Sequence, residues 1–315
     1  VLESLLLTRD RFQAIAERED GPEDLLHALA DTPYADLLPG PDELDRSDGI
    51  LEEHWADTLR NFREISPSPE VLDLFVLEAD FQNYKSFLKA RFFELPAFRL
   101  PAGRIQETEF ERVLDGFLTP AADLLGPPTA LLKSELDRGT ASATRLDWIF
   151  DAALLSAFID AADRSETRTI ARAVRCMTAL RTAEVILRAL RANADIEAAE
   201  RLFVTGLPPQ LAELAQSLID ASPEDRLGLL QPLLAEGCPD LAAGPQCPDP
   251  QSLSAATAAA VIASCRRDRL EPFGPERVFT YLLRLRNEIE NLKLVVGGRM
   301  CHVQPDELKR HITVP

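Results

Sequence analysis

The feature that most constrains this chain is a polar pattern carried inside apolar helix and repeated along the sequence. Residues Leu77 to Arg91 and residues Asn287 to Arg299 align when Asn83 is laid on Asn291. Asp80 then meets Glu288, Tyr84 meets Leu292, Lys85 meets Lys293 and Arg91 meets Arg299. The shared pattern is acid-x-x-Asn-apolar-Lys, with a basic residue six positions after the lysine. A weaker copy lies between them at Ala179 to Ala189. There Thr182 takes the asparagine place and Ala179 the acid place, and Leu187-Arg188-Ala189 matches Leu88-Lys89-Ala90. The three positions are 99 and 109 residues apart in a chain of 315. That spacing predicts three copies of a helical unit of about a hundred residues, an ordinary domain size. We divide the chain accordingly into 1–100, 101–200 and 201–315.

The segments around the pattern have helical periodicity. Val71, Leu74, Phe75, Glu78, Phe81, Tyr84, Leu88 and Phe92 recur at three- and four-residue steps, a single apolar stripe interrupted only by the glutamate. Val278, Tyr281, Leu282, Leu285, Ile289, Leu292, Val295 and Val296 form a second such stripe. Trp148, Ile149, Ala152, Leu155, Phe158, Ile159 and Ala162 form a third. Sustained alternation of apolar and polar residues, the mark of strands, is not evident. The fold class expected is all-α. Helix starts are expected at Ser68-Pro69-Glu70, at Ser222-Pro223-Glu224-Asp225 and at Gly21-Pro22-Glu23-Asp24. Gly297-Gly298 is expected to end the Val278 helix, because glycine tolerates the left-handed cap. The Pro- and Cys-containing stretch from Gly237 to Pro250 reads as an exposed loop.

An acid and an asparagine three residues apart share one helix face. The acid is placed to meet a Lys or Arg of a neighbouring helix, and the amide to bridge backbone groups there. This makes the pattern a packing clip, present in the outer two copies and degraded in the middle one. An acid/base role would need a partner with a tuned pKa in a cleft, and nothing adjacent in sequence supplies one.

Charge and cysteine content narrow the function classes. There are 34 Lys and Arg against 52 Asp and Glu, a formal charge of −18. Such a chain is unsuited to binding nucleic acid by neutralising phosphates, or to a polybasic hold on an anionic membrane. No uncharged apolar run reaches the ~18 residues of a membrane span, and the start, Val1-Leu2-Glu3 running on to Thr8-Arg9-Asp10-Arg11, is not that of a signal peptide. The first residue is not Met, which implies that a few residues are missing there. The five cysteines (Cys176, Cys238, Cys247, Cys265, Cys301) fit no zinc or redox spacing and read as small apolar fillers with free thiols in a reducing cytoplasm, although Cys238 and Cys247 are near enough in sequence to bridge. His27, His54, His302 and His311 give no i, i+4 metal pair.

The familiar motifs of catalysis are missing from the sequence. It has no Gly-Lys pair, hence no phosphate-cradling loop, and no Gly-x-Ser-x-Gly elbow or His-Glu-x-x-His. Asp160 and Asp163 lie one turn apart without a supporting acidic cluster, and they read as a solvated face, as does Glu52-Glu53. We therefore expect no catalytic, cofactor-binding or metal-binding residues.

With these residues in view, the chain resembles the C-type stalk component of V-type (A-type) ATP synthases, a family related to the d-type component of the vacuolar ATPase. The resemblance rests on the acid-x-x-Asn-apolar-Lys helix and on Asp24 to Tyr34, a short helix ending in Thr32-Pro33-Tyr34. Glu271-Pro272-Phe273-Gly274 followed by Val278 to Lys293 carries it too, as does the amphipathic helix Leu146 to Asp163. It implies a non-catalytic part built as a funnel of three similar helical domains with approximate threefold symmetry. The wide end would receive the central shaft, made of D- and F-type subunits, and the narrow end would sit on the cytoplasmic face of the membrane proteolipid ring. The part would couple ATP turnover to proton or sodium transport. A helical-repeat adaptor is the runner-up, although solenoid repeats run to roughly 30–45 residues. A helical enzyme with an unrecognised site is the third reading.

Overall fold

The structure, a computed structural model, describes residues 6–17, 26–66, 70–119, 122–235, 238, 242–244, 247–266 and 274–312. All regular structure among them is helical, as expected. The order is α1 (Arg9–Glu17), α2 (Ser47–Ile65), α3 (Glu70–Phe93), α4 (Glu107–Leu114), α5 (Gly126–Asp137), α6 (Ala143–Arg164) and α7 (Arg168–Arg191). Then come α8 (Ile196–Leu202), α9 (Pro209–Asp220), α10 (Arg226–Leu234), α11 (Pro250–Arg266), α12 (Pro275–Met300) and α13 (Pro305–His311). Short 3-10 turns precede α2 and α5 and follow α8.

Local chemistry sets many of the boundaries. Ser142 accepts the Arg145 amide and opens α6, and Asp195 does the same for Ala198 at α8. Gln106 and Glu109 cap α4 reciprocally. Glu94, at φ 55, turns the chain out of α3, and Asn193, at φ 48, ends α7.

Several sequence expectations need correction. Gly297 and Gly298 do not end α12, which continues to Met300; the left-handed residue beyond it is His302, at φ 55. Gly298 serves packing instead, because a Cβ there would stand 2.3 Å from the Leu308 side chain of α13. Ser222 accepts the Asp225 amide, but in a turn, and α10 begins only at Arg226. The stretch from Gly237 to Pro250 is not a wholly exposed loop: Ala242, Pro248 and Pro250 are buried. Cys238 and Cys247, by contrast, are free thiols as expected. The starts expected at Ser68-Pro69 and Gly21 to Asp24, and the segment Glu271-Pro272-Phe273, lie outside the described residues.

The buried apolar side chains fall into two clusters. The larger runs from α3 through α11 and is centred on Phe81, Tyr84, Phe150, Phe158, Leu180 and Phe203. The smaller joins the two ends of the chain. Phe12, Ile15, Leu29, Tyr34, Leu51 and Trp55 from the first 66 residues pack on Leu282, Leu285, Ile289, Leu292, Val295 and Val296 of α12, with Leu72 and Val76 of α3 at the border. At roughly 2 kcal/mol per buried large aliphatic side chain, the α12 face alone supplies on the order of 10 kcal/mol of gross hydrophobic stabilisation to this junction. That term opposes the entropy of holding ends so distant in sequence.

Candidate functional site

The three long helices that carry the polar pattern are α3, α7 and α12. Asn83, Thr182 and Asn291 occupy matching heights, each nine or ten residues before its helix ends. In α3 the pattern grips a strap. After Glu94 the chain runs without regular structure from residue 94 to 106, back along the helix that it has just left. Ser86 Oγ accepts the Phe98 amide at 2.8 Å. Asn83 takes both backbone groups of Leu100: its Oδ1 accepts the N–H at 2.6 Å and its Nδ2 donates to the C=O at 3.0 Å. Asp80 Oδ1 accepts the amides of Arg104 at 2.6 Å and Ile105 at 2.9 Å. Gly103 permits the approach, because a Cβ there would stand 2.4 Å from Asn83 Nδ2 and 3.0 Å from Asp80 Oδ1. Asp80 and Asn83 are both 2 % exposed. Burial pushes the Asp80 carboxyl above its usual range, against the pull of the two amides.

In α12 the same acid grips the other end of the chain. Glu288 Oε2 accepts the Leu7 amide at 2.6 Å and Oε1 accepts the Tyr34 hydroxyl at 2.6 Å. Tyr34 is set by the Thr-Pro-Tyr turn, where Thr32 Oγ1 accepts the Tyr34 amide and donates to the Leu29 carbonyl. Burial raises the Glu288 carboxyl to about 7, with both hydrogen bonds opposing the rise. In α7 the acid is absent, and Thr182 Oγ1 is buried without a hydrogen-bond partner among the described residues. The reason is visible in the chain path. Only Ala192 to Asp195 separates α7 from α8, so no strap returns along this helix.

At Asn83 the amide bridge to backbone is therefore as expected, whereas neither Asp80 nor Glu288 meets a Lys or Arg of a neighbouring helix. The lysine of the pattern makes that link. Lys85 Nζ lies 2.6 Å from Asp151 and 3.4 Å from Asp147, both on α6. Lys293 pairs with Glu52 on α2. The equivalent position in α7 is Glu184, which is hydrogen-bonded by Ser254 of α11. Burial opposes the charge on Lys85, and the two aspartates overcome it and hold its pKa above the ordinary value. Glu52 is 7 % exposed, which corrects its reading as a solvated acid. Burial would raise its carboxyl, and Arg286, at 2.9 Å, together with Lys293 holds it below the usual range instead. Asp160 and Asp163 are exposed, as expected. A buried acid that sequence reading misses is Glu135 of α5, which binds Arg138, Arg145 and Arg201 and so ties α5 to α6 and α8. No spacing rule marks it, since its partners lie up to 66 residues away.

The three pattern helices line one cavity of about 660 Å³, and α2, α6 and α11 contribute to its wall. Its charges are paired across or along helices. Arg181 of α7 meets Glu78 of α3 at 2.8 Å, and Arg286 meets Glu290 at 2.7 Å as well as Glu52. Both arginines also lie over aromatic rings, Arg181 over Phe158 and Arg286 over Trp55. Among the described residues no group of His, Cys, Asp and Glu is arranged to hold a metal ion.

With this geometry in place, comparison with known families is decisive. The family model for the ATP synthase (C/AC39) subunit matches residues 1–311. The chain belongs to that family. No curated protein sequence matches it. As an ATP synthase (C/AC39) subunit the chain is a component of a V/A-type ATPase. No helix among its described residues is long and apolar enough to cross a membrane.

Proposed function

We propose that this C/AC39 subunit is a non-catalytic coupling in the central stalk, joining the rotor shaft to the membrane proteolipid ring. In that role it passes rotation between ATP turnover and proton or sodium movement. The observation that carries the reading is the cavity walled by α3, α7 and α12, in a chain whose family match covers residues 1–311. A part that bears torque must resist bending between its units, and buried ion pairs and straps with matched hydrogen bonds supply such stiffness. We group the chain into three units by which helix receives the side chain two residues after the asparagine position, in place of the division at 100 and 200 that the spacing suggests; the apolar core itself runs on from α3 through α11. Residues 70–164 form one and residues 168–266 a second. The third is split, with 6–66 closing on 275–312. Each pairs a pattern helix with a second long helix, α6, α11 or α2, which receives the side chain two residues after the asparagine position.

The partners in this reading are the D- and F-type shaft subunits on one side and the proteolipid ring on the other, reached through protein contacts at the cytoplasmic face. The charge of −18 favours basic faces on those partners, so their affinity is expected to fall with salt. The test is co-purification of the tagged chain with shaft and ring proteins from the assembled complex. Recovery of both supports the coupling role. Recovery of neither from an intact complex contradicts it.

A further inference from the structure

Among the described residues, the seam of the split unit holds two buried carboxyls, Glu52 and Glu288. Glu288 is 4 % exposed and takes one donor on each oxygen. Those donors lie 281 and 254 residues away in sequence. The Asp80 site of α3 has the matching acid, but there both donors come from a strap within 25 residues on the same chain segment. Of the two, Glu288 is the acid that closes the seam between chain ends. We propose that Glu288 is a proton-operated latch, tight when it carries a proton and loosened when it is ionised, which sets how firmly residues 6–17 and 26–38 hold to α12. This concerns the chain's own ends and stands apart from the rotor reading.

The surroundings support it. The titratable neighbours are Tyr34, whose hydroxyl is in contact, and Tyr281, further back on α12. Tyr34 is held far above its ordinary value by burial and by the adjacent carboxylate, so its hydroxyl keeps its proton. The cation that reaches Glu288 is Arg284, one turn back on the same helix. From α2, His54 stands edge-on to the Tyr34 ring with centroids 6.0 Å apart, and burial lowers its pKa, so it stays neutral near pH 7. From α1, Arg11 is engaged with the Ala28 carbonyl and Asp31. Glu52, the other acid of the seam, is held ionised by Arg286 and Lys293. Of the two buried carboxyls described at this junction, Glu288 is thus the one whose charge changes near neutrality.

Protonation leaves the junction bonded. One oxygen still accepts the Leu7 amide, while the new O–H donates to the Tyr34 oxygen, which reverses its role. Ionisation places a charge in a buried site, and opening to water relieves it. The closed form therefore holds its proton up to about pH 7, whereas an opened, solvated carboxyl releases it at its ordinary value. Opening grows as pH rises between those values and levels off above 7.

The experiment is hydrogen exchange of the full chain between pH 5 and 8, corrected for the intrinsic chemical rate and read at the amides of Leu7, Leu29, Thr32 and Leu38. Protection is expected to fall by up to about a hundredfold over that span and then flatten, at roughly tenfold per pH unit of linked titration. Glu288→Gln is expected to abolish the step. Tyr34→Phe removes a bond that favours the charged form, so it should move the step to higher pH. The strap amides of Phe98 and Leu100, held by Ser86 and Asn83, which do not titrate, serve as an internal reference. A flat profile in the native chain overturns the latch, as does an unchanged step in Glu288→Gln. If that variant does not fold, an unmoved step in Tyr34→Phe does so.

Discussion

The contrast between Asn83 and Thr182 gives the sharpest test of how the pattern helices work. Asn83→Ala removes one acceptor and one donor that serve the same backbone residue, at 2.6 and 3.0 Å. The Leu100 N–H and C=O, partly buried in the strap, are then left without their protein partners. Each such orphan costs about 1–3 kcal/mol, so the variant should lose roughly 2–4 kcal/mol. Thr182→Val keeps side-chain volume at the equivalent height of α7 but deletes a buried hydroxyl that has no partner among the described residues. Removing an unsatisfied group has no bond to break, so the change should be neutral or stabilising by up to about 1 kcal/mol. Urea unfolding followed by far-UV circular dichroism measures both, with the slopes compared to confirm that the same transition is observed. Equal losses in the two variants would refute the clip, because they would mean that the position matters only for packing. A loss below about 0.5 kcal/mol in Asn83→Ala would refute it as well.

Gly103→Ala should cost about 1–3 kcal/mol by forcing the strap off Asn83 and Asp80, and the exchange rates of the Leu100 and Ile105 amides should rise together. Glu52→Gln leaves Arg286 and Lys293 the exposed Glu290 as their carboxylate partner and should cost about 2 kcal/mol, read as a lowered urea midpoint. Because Glu288 binds its proton more tightly folded than unfolded, its contribution is largest below its unfolded value. It diminishes by about 3 kcal/mol as pH rises to about 7, and comparison of native and Glu288→Gln unfolding curves across that range should isolate it.

Much of the architecture is legible in the sequence because helical periodicity is a local property. The three apolar stripes and the polar positions on them fall where the residues place them, and Asn83 bridges backbone as an amide on that face should. The partner of the acid is not legible. Asp80 meets amides from a strap whose path depends on Glu94 turning out of the helix and on Gly103 fitting beneath Asn83, and neither shows as a period. Glu52 reads as half of a solvated acidic pair because its cations lie more than 230 residues away. The helix end at Gly297-Gly298 misleads for a related reason. Those positions run on as helix, Gly298 answers to the side chain of Leu308 and not to a turn, and the left-handed position falls to His302. The closing of residues 6–66 on α12 is likewise tertiary, and it brings the Thr-Pro-Tyr turn and the C-terminal pattern helix to a single carboxyl.

The most direct test of the account is ion transport by the reconstituted ATPase carrying the double variant Glu288→Ala, Asn291→Ala in this chain, with ATP hydrolysis measured in the same vesicles. Hydrolysis by the head should persist while ions moved per ATP fall several-fold, as a loosened third unit slips under torque. An unchanged ion-to-ATP ratio in vesicles where exchange shows the seam open, or loss of hydrolysis by the isolated head, would contradict the coupling role.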